Sequence, residues 1–89
     1  RGGPAREYEV EKGVRSLMTS IAKDRAALPL IVEALKTDRS WEVREWAARA
    51  LGEAGLAAKA HLPALREALT DEDDRVRTAA ERAIARIAR

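Results

Sequence analysis

Eighty-nine residues, 46% hydrophobic and 36% charged with a formal net charge of +2, suffice for one small domain with a thin core. The chain has no Cys, which excludes disulfides and thiolate metal sites; no apolar run approaches the roughly 18 residues of a membrane span, and so small a charge does not by itself imply nucleic acid. The abundance of Ala, Leu, Glu and Arg, with Phe absent, belongs to packed helices, so an all-α class is expected.

In chain order, residues 1–5, "RGGPA", have no periodicity and are expected to be loose, and an isolated "RGG" is too short for an RNA-binding tract. A first residue other than Met suggests a piece of a longer protein, and no signal-peptide pattern is visible, so a cytoplasmic location is expected. Val10, Val14, Leu17, Met18 and Ile21 recur at helical spacing and predict a helix over 6–22. Leu28, Ile31 and Leu35 predict a second over 26–37, with Pro29 in its first turn. Ser40 is placed as the N-cap of a third helix over 41–53, carrying Val43, Ala47, Ala50 and Leu51, and Gly55 as its C-cap. "GLAAKAH" reads as a loop. Leu62, Leu65 and Leu69 predict a helix over 60–70, with Pro63 in its first turn. Behind Asp73 as N-cap, Val76, Ala80, Ala83, Ile84 and Ile87 predict a last one over 74–88. The expected core is Leu28, Ile31, Leu35, Val43, Trp46, Leu51, Leu62, Leu65, Leu69, Val76, Ile84 and Ile87.

The chain repeats itself. "LPLIVEAL" at 28–35 aligns with "LPALREAL" at 62–69, and "EVREWAARAL" at 42–51 with "RVRTAAERAI" at 75–84. A third, fainter copy is "VRSLM" at 14–18. The period of one helical hairpin divides a single domain over 6–89 into an N-terminal half repeat at 6–22, a first repeat at 24–55 and a second repeat with a C-terminal cap at 56–89.

The recurring L-P-x-L-x-x-A-L, an acidic turn and then V-R-x-x-A-A-x-A resembles the HEAT repeat, especially the bacterial and archaeal HEAT-like type that includes phycobilisome-lyase-type repeats. The resemblance implies a right-handed α-solenoid with first helices on the convex side and second helices on the concave side. It also implies a protein-interaction scaffold. Related members that act on phycobilin attachment, or that bind DNA along a basic concave face, have residues not visible here. It further implies an inter-repeat ladder built from an acid in the turn six positions before an Arg, Asp38 with Arg44 and Asp71 with Arg77, in which the Arg can hold a neighbouring turn's carboxylate and carbonyls at once. Glu9 and Arg15 share the spacing, although Glu9 falls within a predicted helix. The family often places Pro where this chain has Trp41 and Asp74.

Both tryptophans lie in "SWEVREWAARALGEAG". Trp46 falls on the apolar face and is expected to fill space between hairpins. Trp41 stands where the other repeat has Asp74, so it either covers the hairpin end against the N-terminal helix or meets a partner. His61 is the only His and lacks companion ligands, "DEDD" at 71–74 lacks the Gly bend and closing Glu of a calcium loop, and no Ser or Thr stands beside a base. No catalytic, metal or cofactor site is therefore expected. Five arginines from Arg75 onward (Arg75, Arg77, Arg82, Arg86 and Arg89) face one acid, Glu81, an arrangement that helix electrostatics alone can account for.

Candidate function rests on the second helices, whose positions off the apolar stripe are Glu45, Arg49 and Gly52, then Thr78, Arg82 and Arg86, with Lys12, Ser16 and Ser20 on the N-terminal helix. This mixed, net basic face fits another protein, in particular an acidic segment; the alternatives are a nucleic-acid-binding module and an accessory domain of a larger enzyme. Between the repeats Val32 becomes Arg66, Leu30 becomes Ala64 and Ala48 becomes Glu81. The second repeat therefore reads as a polar terminal cap, with Arg66 and Glu81 exposed, the stack ending near Arg89, any missing sequence lying mainly before Arg1, and the chain monomeric.

Overall fold

The computed structural model describes residues 24–88. The helix expected over 6–22, the segment 1–5, the Glu9 and Arg15 pair, and Lys12, Ser16 and Ser20 lie outside the described residues. Within them the chain is helical and contains no strand.

Two prolines decide where the α-helical register begins. Pro lacks an N–H, and its ring clashes with the carbonyl four residues earlier, so it is tolerated only in a first turn. The helix expected from residue 26 accordingly starts as a 3₁₀ turn at Arg25–Ala27, capped where Asp24 Oδ1 accepts from Ala26 N–H at 3.0 Å, and becomes α1 only over Leu28–Thr37. The same correction applies in the second repeat. The expected loop "GLAAKAH" is a 3₁₀ helix over Gly55–His61 that buries Ala58, and Pro63 confines α3 to Leu62–Ala68. That helix does not reach residue 70, because Leu69 and Thr70 donate to the carbonyls of Arg66 and Glu67, the tighter spacing of a closing turn.

The second helices follow their caps. Ser40 Oγ accepts from Val43 N–H and donates to Glu42 Oε1 at the head of α2 (Trp41–Ala54), and Gly55, at φ +60°, ends it. Asp73 Oδ1 accepts from Arg75 N–H at 2.8 Å to start α4 (Asp74–Ile87). The Asp73 carboxyl is also held by the Arg75 guanidinium, chiefly through their side-chain hydrogen bonds, and is lowered to about 2. A depressed carboxylate stabilises the fold above its unfolded value near 4 and loses that contribution as pH falls through the folded value. The stability difference between the protein and Asp73→Asn should therefore be constant above about pH 5 and shrink between about pH 4 and 2. Paired urea titrations across that range check this.

The helices form two layers, α1 and α3 over α2 and α4. The most extensive contact is α2 with α4, followed by α1 on α2 and α3 on α4. Leu28, Ile31, Leu35, Leu51, Leu62, Leu65, Val76 and Ile87 are buried between the layers with Ala47, Ala50, Ala80 and Ala83, and Trp46 is buried at 8% exposure. Three residues expected in the core are not fully buried. Ile84 is half-buried and packed against the core, whereas Val43 is only half-buried and Leu69 is 38% exposed. Leu69 lies past the end of α3, where the tightened turn carries it off the apolar stripe. Val43 lies at the edge because the inward face of the first turn of α2 belongs to Arg44, at 9% exposure.

Arg66 and Glu81 are exposed. Of their apolar counterparts, Ala48 is fully buried and Val32 packs against the core; Leu30, the counterpart of Ala64, is 71% exposed, so that change removes no core contact. No helix among the described residues is long and apolar enough to cross a membrane.

Candidate functional site

Residues four apart on a helix share a face, so Glu45, Arg49 and Glu53 form one line along α2, and Thr78, Arg82 and Arg86 form another along α4. The two second helices run parallel, with Trp41 beside Arg75 at one end and Glu53 beside Arg86 at the other. Between the lines lies an open groove of about 430 Å³, floored by Trp46, Gly52, Ala79 and Ala83. Five residues expected on the concave face, Glu45, Arg49, Thr78, Arg82 and Arg86, are thus brought together on its rims.

Gly52 has a different part from the one expected of it. It is buried, and a Cβ there would stand 3.1 Å from the Ala83 Cα and 3.2 Å from its Cβ. The missing side chain lets α2 and α4 meet closely and sets the depth of the groove floor.

The rims differ electrically. On α2, Glu45 holds Arg49 at 2.9 Å, which with Glu53 leaves that rim one negative charge. On α4, Arg75 is paired with Asp73 and Asp74 with Arg77, leaving Arg82 and Arg86 as two positive charges. Arg82 has no ion pair among the described residues, and Arg86 reaches Glu53 only at 3.9 Å, too far for a hydrogen bond. The net basic character expected of this face resides on α4.

Trp41 does not line the groove. It is half-buried and packed against the core, and the Arg75 guanidinium stacks on its indole with 3.3 Å to the ring centroid. Asp73 holds Arg75 in place through two side-chain hydrogen bonds, of 3.1 and 2.9 Å. Arg75 therefore belongs both to the groove and to this stack. Sequence reasoning left Arg75 and Glu53 off the face, although three residues before Thr78 and four after Arg49 are helical spacings that reach them.

The turn edge carries the second polar constellation, in which Arg44 links the two repeats. Arg44 does not pair with the Asp38 carboxylate, which instead accepts from Ser40 N–H at 2.9 Å. Its Nη1 donates to the carbonyls of Asp38 and Arg39 at 2.8 and 3.2 Å, while Nε and Nη2 grip the carboxylate of Asp71, in the next repeat, at 2.9 and 3.2 Å. Arg77 repeats the carbonyl half on Asp71 O at 2.6 Å and pairs with Asp74 at 3.1 Å. The hydrogen bonds it donates to Asp71 hold the Arg44 guanidinium above its usual range, so it stays charged. Within "DEDD", three carboxylates are thus engaged by arginines. Among the described residues no three His, Asp or Glu side chains converge as a metal site would require.

A family model described as HEAT repeats matches residues 10–86. No curated protein and no solved structure matches the chain.

Proposed function

Because the chain belongs to the HEAT repeat family, we propose that it is a non-catalytic protein-interaction module that binds its partner in the groove between α2 and α4. Stacked helical repeats of this kind present concave surfaces for recognition, and we take the chain to form a short right-handed solenoid, monomeric and cytoplasmic. The supporting observation is the groove itself: an apolar floor with charged rims has the anatomy of an interface, whose apolar centre is ringed by polar groups. Nucleic acid is the weaker reading. The lining carries four arginines against three acids, and Trp46 is the only aromatic in it, so the groove offers no series of aromatic faces for successive bases to stack on.

Site-specific photo-cross-linking tests the proposal. A cross-linking side chain at Thr78, in the groove, is expected to capture a protein partner in the native cell, while the same group at Arg66, on the exposed face of α3, does not. Equal capture at both positions, or a nucleic-acid adduct at Thr78, overturns it.

A further inference from the structure

The groove's construction specifies the class of segment it accepts, an inference that rests on the interaction reading above. Both walls are α-helices, whose backbone N–H and C=O groups are bonded along their own axes. They offer no edge for an added strand. An extended peptide lying over Trp46, Ala79 and Ala83 would leave its own backbone groups without backbone partners, a cost that grows with each residue buried. A helix arrives with those groups satisfied and presents only side chains. The α4 rim from Arg75 to Arg86 runs for three helical turns, about 16 Å, which an equal length of partner helix spans.

Charge decides the flank. The Arg49 guanidinium is bound to Glu45 and that of Arg75 to Asp73 and the Trp41 ring, so neither is disengaged without breaking a contact. Arg82 and Arg86 lie one turn apart on the same line and remain uncommitted, Arg82 with no ion pair among the described residues and Arg86 with only a 3.9 Å approach. A carboxylate placed between them gains two charge-assisted donors without disrupting the fold.

We infer that the α2–α4 groove binds a short amphipathic helix whose apolar stripe packs on Trp46, Ala79 and Ala83 and whose acidic flank, with carboxylates one turn apart, is read by Arg82 and Arg86. The net negative charge of the opposite rim, left by Glu53 once Glu45 has paired with Arg49, disfavours acids on the other flank. The partner is thereby oriented across the groove.

The test is fluorescence anisotropy of three labelled synthetic peptides with the 89-residue protein at two salt concentrations. One is a helix-forming amphipath of three to four turns with a Leu stripe and a Glu flank. The second has the same stripe with Lys in place of Glu, and the third is a scramble of the first that keeps its charge but has no stripe. The Glu amphipath is expected to bind at least about tenfold more tightly than either control. Arg82→Glu with Arg86→Glu should abolish that preference, whereas Arg66→Glu with Lys59→Glu, an equal change of charge at exposed positions outside the groove, should not. Equal binding of the scramble shows charge attraction alone and overturns the inference. So does preference for the Lys peptide, or equal loss in both double variants. Failure of all three peptides also overturns it. In each case the cross-linking at Thr78 still decides separately whether the groove meets a protein.

Discussion

Trp46→Ala is expected to cost about 3 to 5 kcal/mol, and Trp41→Ala about 1 to 2 kcal/mol. The two indoles stand five residues apart in sequence, but the fold treats them differently. Trp46 is 8% exposed, and truncation removes the largest side chain of the groove floor, leaving a cavity that small neighbours such as Ala79 and Ala83 cannot fill. Trp41 is half-buried at the first position of α2; its loss forfeits part of its packing and the stack with Arg75, which at an accessible site contributes about 0.5 to 1 kcal/mol. A domain this size has a total stability on the order of 5 to 10 kcal/mol. The first variant should therefore melt at much lower temperature or be largely unfolded, and the second should remain folded. Thermal melts followed by far-ultraviolet circular dichroism compare them directly. Equal losses would mean that burial is not what distinguishes the two sites.

The difference between what periodicity and burial report explains how much was legible beforehand. Helical spacing located the apolar stripes of the four described α-helices. The caps Ser40, Asp73 and Gly55 could be read as single residues because each satisfies, or terminates, a particular backbone group. The groove rims were legible for the same reason, since Glu45 with Arg49 and Thr78 with Arg82 follow from a four-residue spacing. Spacing does not say where a stripe stops. Leu69 continues the stripe of Leu62 and Leu65, but hydrogen bonds to the carbonyls three residues back close the turn first and leave Leu69 exposed. Nor does it say which polar residue turns inward. Val43 fits the apolar stripe and Arg44 enters only through the family ladder, yet the donors of Arg44 bridge two turns, and this draws the guanidinium in and leaves Val43 at the edge. The close approach at Gly52 is likewise a property of two helices together, invisible in either alone.

Arg44 itself yields the other large effect. Arg44→Ala is expected to destabilise the protein by about 2 to 4 kcal/mol, because it removes the countercharge from a mostly buried carboxylate, which keeps only the Asp73 N–H, and leaves two turn carbonyls without the Arg44 donor. Both side chains of the Arg44–Asp71 pair retain a little exposure, 11% and 12%, which places the cost toward the lower part of what breaking a fully buried pair incurs. Asp71→Asn should cost less, since an amide oxygen can still accept one of the two guanidinium bonds and the carbonyls keep Nη1. Arg44→Lys separates charge from geometry. A single ammonium retains the attraction but cannot reach the Asp71 carboxylate bidentately while also bridging Asp38 and Arg39, so it should recover less than half of the loss. A double-mutant cycle on Arg44→Ala and Asp71→Asn, measured by urea unfolding, should give a coupling of about 1 to 2 kcal/mol that changes little on adding salt, because the pair is largely withdrawn from solvent. Full rescue by Lys would reduce Arg44 to a charge. A coupling near zero would mean that helix packing alone holds the two repeats together.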